Sequence, residues 1–292
     1  KKLLDDLNLI YLNTKKNIYK IYQNSSFYDK KISRIFNNSF EYKPSTHLFS
    51  SIVKYQKKKY MIEDFALESI WQNDIKTKDY EKLNNFFWFF SLDLKSSKKT
   101  VQSLIVNWIK NNNRYNNKSW NFDLTSKRII SWLSNHQLTY EDSDKEYKIK
   151  FDQCIQKQAN HLLSEMRNSN NFENKIIGCA AIILTGLAYQ NNKNYLSNGL
   201  NILKKIIKSS IDNQGFPNSR NINQLIFYLK YFIVIREWFK ESQNTVPEYI
   251  DETIYYLGLS YAFIWQNINH DILFNGNYIS NNNEFDQYLK RF

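Results

Sequence analysis

Arg128 and Trp132 are two side chains whose types and spacing suit the binding of an anionic sugar. They lie four residues apart in a segment, residues 120–133, in which Asp123 is a plausible N-cap, so a helix would place both on one face. A guanidinium held over an indole can grip a carboxylate or sulfate bidentately, and the indole can stack on a sugar. The alternative is a structural cation–aromatic contact or an ion pair to a neighbouring helix.

A second candidate is the turn formed by residues 212–221. Gly215 and Pro217 favour a tight connection between two helices, and Ser219 or Asn221 can cap the second helix. Arg220 then lies near the positive N-terminal end of that helix, a position that suits an anion. The alternative is an ordinary helix connection with a surface arginine.

Two further patterns are weaker. Trp88 belongs to an aromatic run, residues 86–90, that is typical of a core but also suits sugar stacking at a groove. His161 and Glu165 have helical spacing for a metal but lack a third ligand. There is no glycine-rich phosphate loop and no nucleophile elbow. The sequence therefore predicts neither a metal nor a cofactor.

The sequence predicts that helices position these residues. Apolar residues recur at helical spacing, as in residues 101–109, with Thr100 placed to cap that helix. Residues 23–78 are less regular. The helix over residues 221–240 is apolar around much of its circumference, which predicts a double layer of helices. The other predicted helices lie near residues 3–22, 79–92, 123–134, 145–167, 173–190, 193–210 and 249–267.

Composition narrows the class of protein. The 292 residues carry a formal charge of +12 and are 42% hydrophobic, which excludes wholesale disorder. The longest apolar runs are too short to span a membrane. The excess of lysine accompanies many asparagines and isoleucines, as in AT-rich genomes, so the charge alone is weak evidence for a nucleic-acid partner.

The order of several segments resembles the N-terminal helical domain of the heparinase II/III-like polysaccharide lyases. The match begins near residue 60, and its blocks are short. They comprise Trp71, residues 83–89, residues 120–133, residues 173–187, the turn at residues 212–221, residues 225–238 with Arg236 and Glu237, Pro247, and residues 270–276.

This resemblance implies an all-α fold, specifically an incomplete (α/α) toroid of antiparallel helix pairs. Residues 1–292 would form a single domain, with residues 1–60 as an irregular N-terminal arm plus a first helix. The family's C-terminal β-sandwich domain would be missing from this chain, which we therefore expect to be a segment of a longer protein. The resemblance is to the alphaproteobacterial members in particular and implies a bacterial protein, and the sequence does not distinguish the periplasm from the cytoplasm.

The implied chemistry is β-elimination of a uronate-containing polysaccharide. By resemblance, Asn174 corresponds to the residue that neutralises the uronate carboxylate. The family's catalytic tyrosine has no counterpart at its usual position, and Tyr228 and Tyr231 are the candidate substitutes. A further catalytic histidine usually comes from the β domain, so the isolated segment is expected to be inactive.

Three functional hypotheses follow. The first is a lyase-type helical domain that binds an acidic polysaccharide through Arg128, Trp132, Arg220 and Trp88. The second keeps the fold without the chemistry, as a non-catalytic glycan-binding or envelope-assembly protein. The third, suggested by charge alone, is a basic scaffold for nucleic acid or protein, and nucleic acid is the less favoured partner because no recognised module appears.

Overall fold

The computed structural model describes residues 11, 14–15, 17–34, 39–53, 59–62, 77–169, 171–190, 193–267, 273–274 and 277–278. Residues 17–23 are helical. The helices that follow are α1 (Ser26–Ile32), α2 (Thr46–Ile52), α3 (Thr77–Asn84), α4 (Lys98–Asn111), α5 (Phe122–Ser134), α6 (His136–Thr139), α7 (Lys145–Glu165), α8 (Phe172–Ala188), α9 (Lys193–Ser210), α10 (Ile222–Glu241) and α11 (Glu248–Asn267). The described part of the chain is therefore all-α, apart from the two-residue strands β1 (Leu273–Phe274) and β2 (Asn277–Tyr278), which pair antiparallel.

Polar caps fix where several long helices begin. The side-chain oxygens of Ser97, Asn121, Asp144, Asn171 and Asn221 each accept backbone N–H groups from the first turn of α4, α5, α7, α8 and α10. The prediction of Asn221 as a cap is confirmed. Thr100 and Asp123 are not caps, because α4 and α5 begin one or more residues earlier than the apolar pattern suggested.

The helix predicted over residues 79–92 is interrupted. Helix α3 ends at Asn84, and a 3₁₀ helix covers Phe87–Ser91. Between them Phe86 adopts a left-handed conformation with φ of 57°, and the Asn85 side chain accepts the Phe87 N–H. Apolar residues continue at helical spacing across this break, so their pattern alone predicts one uninterrupted helix.

Helix α8 is at the centre of the packing. It contacts both α5 and α10, and each of these three helices also packs against the next long helix in the chain. These pairs are α5 with α7, α8 with α9, and α10 with α11. The expectation that α10 needs neighbours on more than one side is confirmed.

Helix α8 is the most deeply enclosed of these. All thirteen residues from Ile176 to Ala188 are buried, so the helix has no wet face. Its approach to α9 is close at Gly186, where an added Cβ would lie 2.5 Å from the Leu196 backbone nitrogen. One hydrophobic cluster extends from Tyr28 to Ile264 and draws on α1 and α11 alike.

The stretch that the sequence marked as irregular contains two short helices, α1 and α2. Between them a non-helical segment is held to the helical layers. The Glu41 N–H donates to the Ala188 carbonyl over 2.9 Å, and the Tyr42 hydroxyl donates to the Glu241 carboxylate over 2.8 Å. Residues 1–10, Trp71 and His270, on which parts of the sequence interpretation rest, lie outside the described residues.

None of the helices in the described part of the chain combines the length and apolarity that a bilayer span requires. Within the same residues, no group of three or more His, Cys, Asp or Glu side chains gathers as a metal site would require.

Candidate polyanion-binding groove

A groove of about 830 Å³ lies where the end of α7 and the start of α8 meet α9. We call it the basic groove, because five cationic side chains and no carboxylate line it. Four of the five residues are exposed, and Lys175 is half-buried. The five are Arg167, Lys175, Lys204, Lys205 and Lys208, and apolar lining comes from Leu163, Met166, Phe172, Ile202 and Ile206.

The groove brings together five cations that make no ion pair among the described residues, whereas several other lysines of the surface are paired with a carboxylate. Lys98, Lys127, Lys150 and Lys157 each lie 2.5–2.7 Å from a carboxylate oxygen. In contrast, none of the five groove cations lies within 4.0 Å of a carboxylate oxygen in the described part of the chain. No ion pair within that distance in this part of the chain therefore neutralises their charge.

The basic groove attracts anions and raises their local concentration, because the potentials of like charges along one concave wall add together. Lysine ammonium groups bind carboxylates and sulfates as flexible point charges, which suits a repeating polyanion better than one rigid ligand. The Lys175 ammonium also lies 5.5 Å from the centre of the Phe172 ring.

Sequence reasoning missed this groove. Lys204, Lys205 and Lys208 have the spacing of one helical face, which was the available signal. That spacing is weak evidence by itself, because lysine is abundant throughout the chain. Which lysines lack an acidic partner depends on tertiary packing that the spacing does not report.

Arg128 is not at a ligand-accessible surface. It is fully buried, and its guanidinium lies 4.0 Å from the centre of the Trp108 ring rather than over Trp132. It donates to Gln158 Oε1 over 2.7 Å and to the backbone carbonyls of Asn84 and Ser119 over 2.8 and 3.0 Å. This corrects its assignment as a substrate contact, because the structural cation–aromatic alternative describes its position.

Trp132 is likewise fully buried. Its ring meets Phe86 and Trp108 edge to face, at centroid distances of 5.2 and 5.5 Å, and stacks on Phe151 at 5.7 Å. An indole enclosed in this way has no face left for a sugar. Its assignment as a stacking platform is therefore also corrected.

Arg220 is exposed, as the turn predicted, but its charge is already paired. Its guanidinium lies 2.5 Å from Asp212 Oδ2 and stands over the Phe216 ring. Asp212 Oδ1 meanwhile accepts the N–H groups of Gln214 and Phe216. Arg220 thus closes the turn, and a ligand would have to compete with Asp212 for it.

The candidate catalytic residues lie on two helices, Asn174 on α8 and Tyr228 and Tyr231 on α10. Asn174 is half-buried in the first turn of α8, next to Glu173. Tyr228 of α10 is fully buried. Burial raises the pKa of its phenol to about 12, the Ser210 hydroxyl opposes that rise, and the Glu173 carboxylate adds to it. A buried phenol held protonated is poorly suited to removing a proton from a sugar.

Tyr231 lies in the core, and Trp88 packs against that core. Tyr231 is 2% exposed and packs against Phe227 and Phe49, and burial raises the pKa of its phenol well above the usual range. Trp88 is half-buried, and its indole N–H donates to the Leu83 carbonyl. Neither residue lines the basic groove.

His161 and Glu165 form no metal site. His161 is buried, with Nδ1 2.7 Å from the Tyr28 hydroxyl and Nε2 2.8 Å from the Trp120 carbonyl. The Glu165 carboxylate accepts the Tyr19 hydroxyl over 2.6 Å. Both ring nitrogens are therefore engaged in packing the helices together.

No known family model, curated protein or solved structure matches this chain. The functional argument accordingly depends on the geometry of the groove.

Proposed function

We propose that this chain is a helical carbohydrate-binding domain whose basic groove takes an acidic polysaccharide. The observation that supports the proposal is the set of five cations that share one groove and have no acidic partner among the described residues. The resemblance to heparinase II/III-like proteins supports the choice of a uronate-containing glycan. The proposal includes the toroidal arrangement of the helix pairs that the resemblance implies.

Binding is tested with a variant in which Lys175, Lys204, Lys205 and Lys208 are changed to glutamine. We expect this variant to bind polygalacturonate at least about tenfold more weakly than the wild type, since each solvent-exposed ion pair contributes up to about 1 kcal/mol. A matched control changes Lys99 and Lys110 on α4 together with Lys118 and Lys145, four exposed lysines that do not line the groove. Equal losses in both variants would refute a site-specific groove.

The ligand class is tested with the wild type alone. Polygalacturonate and heparin should bind, and neutral dextran should not, because the groove offers cations rather than neutral hydrogen-bonding groups. Duplex DNA that binds more tightly than every acidic glycan would favour a nucleic-acid scaffold instead.

Cleavage by β-elimination is the reaction that the family resemblance implies, with Asn174 and Tyr228 as candidate residues, and the burial of Tyr228 argues against it. The test follows the ultraviolet absorbance of the unsaturated product when the chain is mixed with polyuronates. Since Tyr228 is buried, we expect binding without product. An absorbance rise that Tyr228→Phe abolishes would establish a lyase.

A further inference from the structure

A second groove lies on the other side of α9. We call it the tyrosine groove, because Tyr249 and Tyr256 line it, and its volume is about 800 Å³. It is bounded by α9, by α11 and by the turn that contains Gly215. Lys204 and Lys208 line both grooves, so one pair of cations connects the two.

The tyrosine side of this groove is fixed in position. The Tyr249 hydroxyl donates to the Leu200 carbonyl over 3.1 Å, and the Lys204 ammonium lies 5.5 Å from the Tyr249 ring centre. Gly215 has φ of +78°, and an added Cβ there would lie 2.5 Å from the Tyr256 backbone. The turn therefore packs directly against α11 at Tyr256, whose own exposed fraction is 40%.

The charges of the two grooves differ. Asp212 lines the tyrosine groove, but its carboxylate is held by Arg220 and by two backbone N–H groups. Glu252 is exposed in the same groove. The basic groove is thus the stronger site for the ligand's acidic groups, while the tyrosine groove offers exposed aromatic surface beside two shared lysines.

We propose that the acidic polysaccharide crosses α9 and occupies both grooves, with its charged groups in the basic groove and a sugar face on Tyr256. This inference rests on the proposed function, and it adds that the ligand is a polymer longer than one groove. An aromatic ring beside a cation is suited to a carbohydrate, whose ring faces are apolar and whose acidic groups are charged.

The test measures the binding of an acidic trisaccharide and of the corresponding long polymer, both galacturonans, to three variants. Lys175→Gln with Lys205→Gln changes only the basic groove, and Tyr256→Ala changes only the tyrosine groove. Phe263→Ala is the matched control, because Phe263 is an aromatic residue of α11 that is 68% exposed and lines neither groove.

We expect Tyr256→Ala to weaken polymer binding about two- to tenfold and to leave trisaccharide binding unchanged, as for the loss of one aromatic contact. The double lysine variant should weaken both ligands. If Tyr256→Ala behaves like Phe263→Ala towards the polymer, the two-groove inference is wrong. The proposed function then still stands provided the lysine variant weakens binding, and it is wrong as well if that variant has no effect.

A single-stranded oligonucleotide that matches the polymer in affinity and in dependence on Tyr256 would overturn the choice of carbohydrate.

Discussion

Arg128 is a buried cation stabilised by neutral groups. Four hydrogen bonds and the Trp108 ring surround its guanidinium, and no carboxylate lies within 4.0 Å in the described residues. Burial lowers the pKa of Arg128 to about 9, and nearby Cys154 and Tyr80 oppose that change. The side chain thus links α5 to α3 and α7 through polar contacts that no other residue type reproduces.

Replacement of Arg128 by methionine should lower the free energy of unfolding by about 3 kcal/mol, because it leaves two carbonyls and Gln158 without their donor. Urea unfolding measures the change. The neighbouring Lys127→Met is the control, since Lys127 makes a partly exposed ion pair with Asp123 that should contribute less than about 1 kcal/mol. Equal losses in the two variants would contradict this role for Arg128.

Asp152 makes the free energy of unfolding depend on pH. Its carboxylate accepts the hydroxyls of Tyr140 and Tyr189 over 3.0 and 2.8 Å. Burial raises its pKa to about 6, although the hydrogen bonds from Tyr189 and Tyr140 and the charge of Lys148 oppose the rise. The folded state therefore holds this proton at a pH where the unfolded chain has released it.

Since the folded pKa lies above the unfolded value, Asp152 should make stability fall as pH rises from about 4 to about 6. The slope for one proton is about 1.4 kcal/mol per pH unit. Unfolding of the wild type and of Asp152→Asn is compared across this range. The difference between their unfolding free energies should vary with pH in this window and level off above it, and a constant difference would disprove the assignment.

The close contact between helices α8 and α9 depends on Gly186, which has no side chain. Gly186→Ala places a methyl group against the Leu196 backbone and should destabilise the protein by about 1–3 kcal/mol. Gly258→Ala on α11 meets no atom within 4 Å and should be neutral or stabilising by up to about 1 kcal/mol. Thermal unfolding of both variants checks this, and a tolerated Gly186→Ala would mean that the helices can separate there at little cost.

The helices were largely predictable because apolar spacing and local caps determine them. Helices α7, α9 and α10 begin and end close to where the periodicity placed them. The break at Phe86 was not predictable from the same signal, since it depends on one left-handed residue and an asparagine side chain.

The site was much harder to predict. A buried and an exposed arginine have the same spacing relative to apolar neighbours, so the sequence does not decide whether Arg128 binds a ligand or packs in the interior. Lys204 and Lys208 belong to the basic groove because α7, α8 and α9 pack together there. The spacing of residues along one helix does not report that packing.

For the whole molecule, the charge distribution predicts a salt dependence. Binding of a polyanion to unpaired lysines releases counterions, so affinity for polygalacturonate should fall as salt concentration rises. The slope should be shallower in the four-lysine groove variant than in the wild type, and unchanged in the variant of Lys99, Lys110, Lys118 and Lys145. A salt slope unaffected by the groove substitutions would place the contacts elsewhere.

The most direct test of the groove is lysine footprinting. The wild type is acetylated with and without saturating polygalacturonate, and the modification of each lysine is read by mass spectrometry. Lys175, Lys204, Lys205 and Lys208 should be protected by the polymer, while the exposed Lys99 and Lys110 should react equally in both samples. Protection of Lys99 and Lys110 with no change at the groove lysines would contradict the proposal that the acidic polysaccharide binds here.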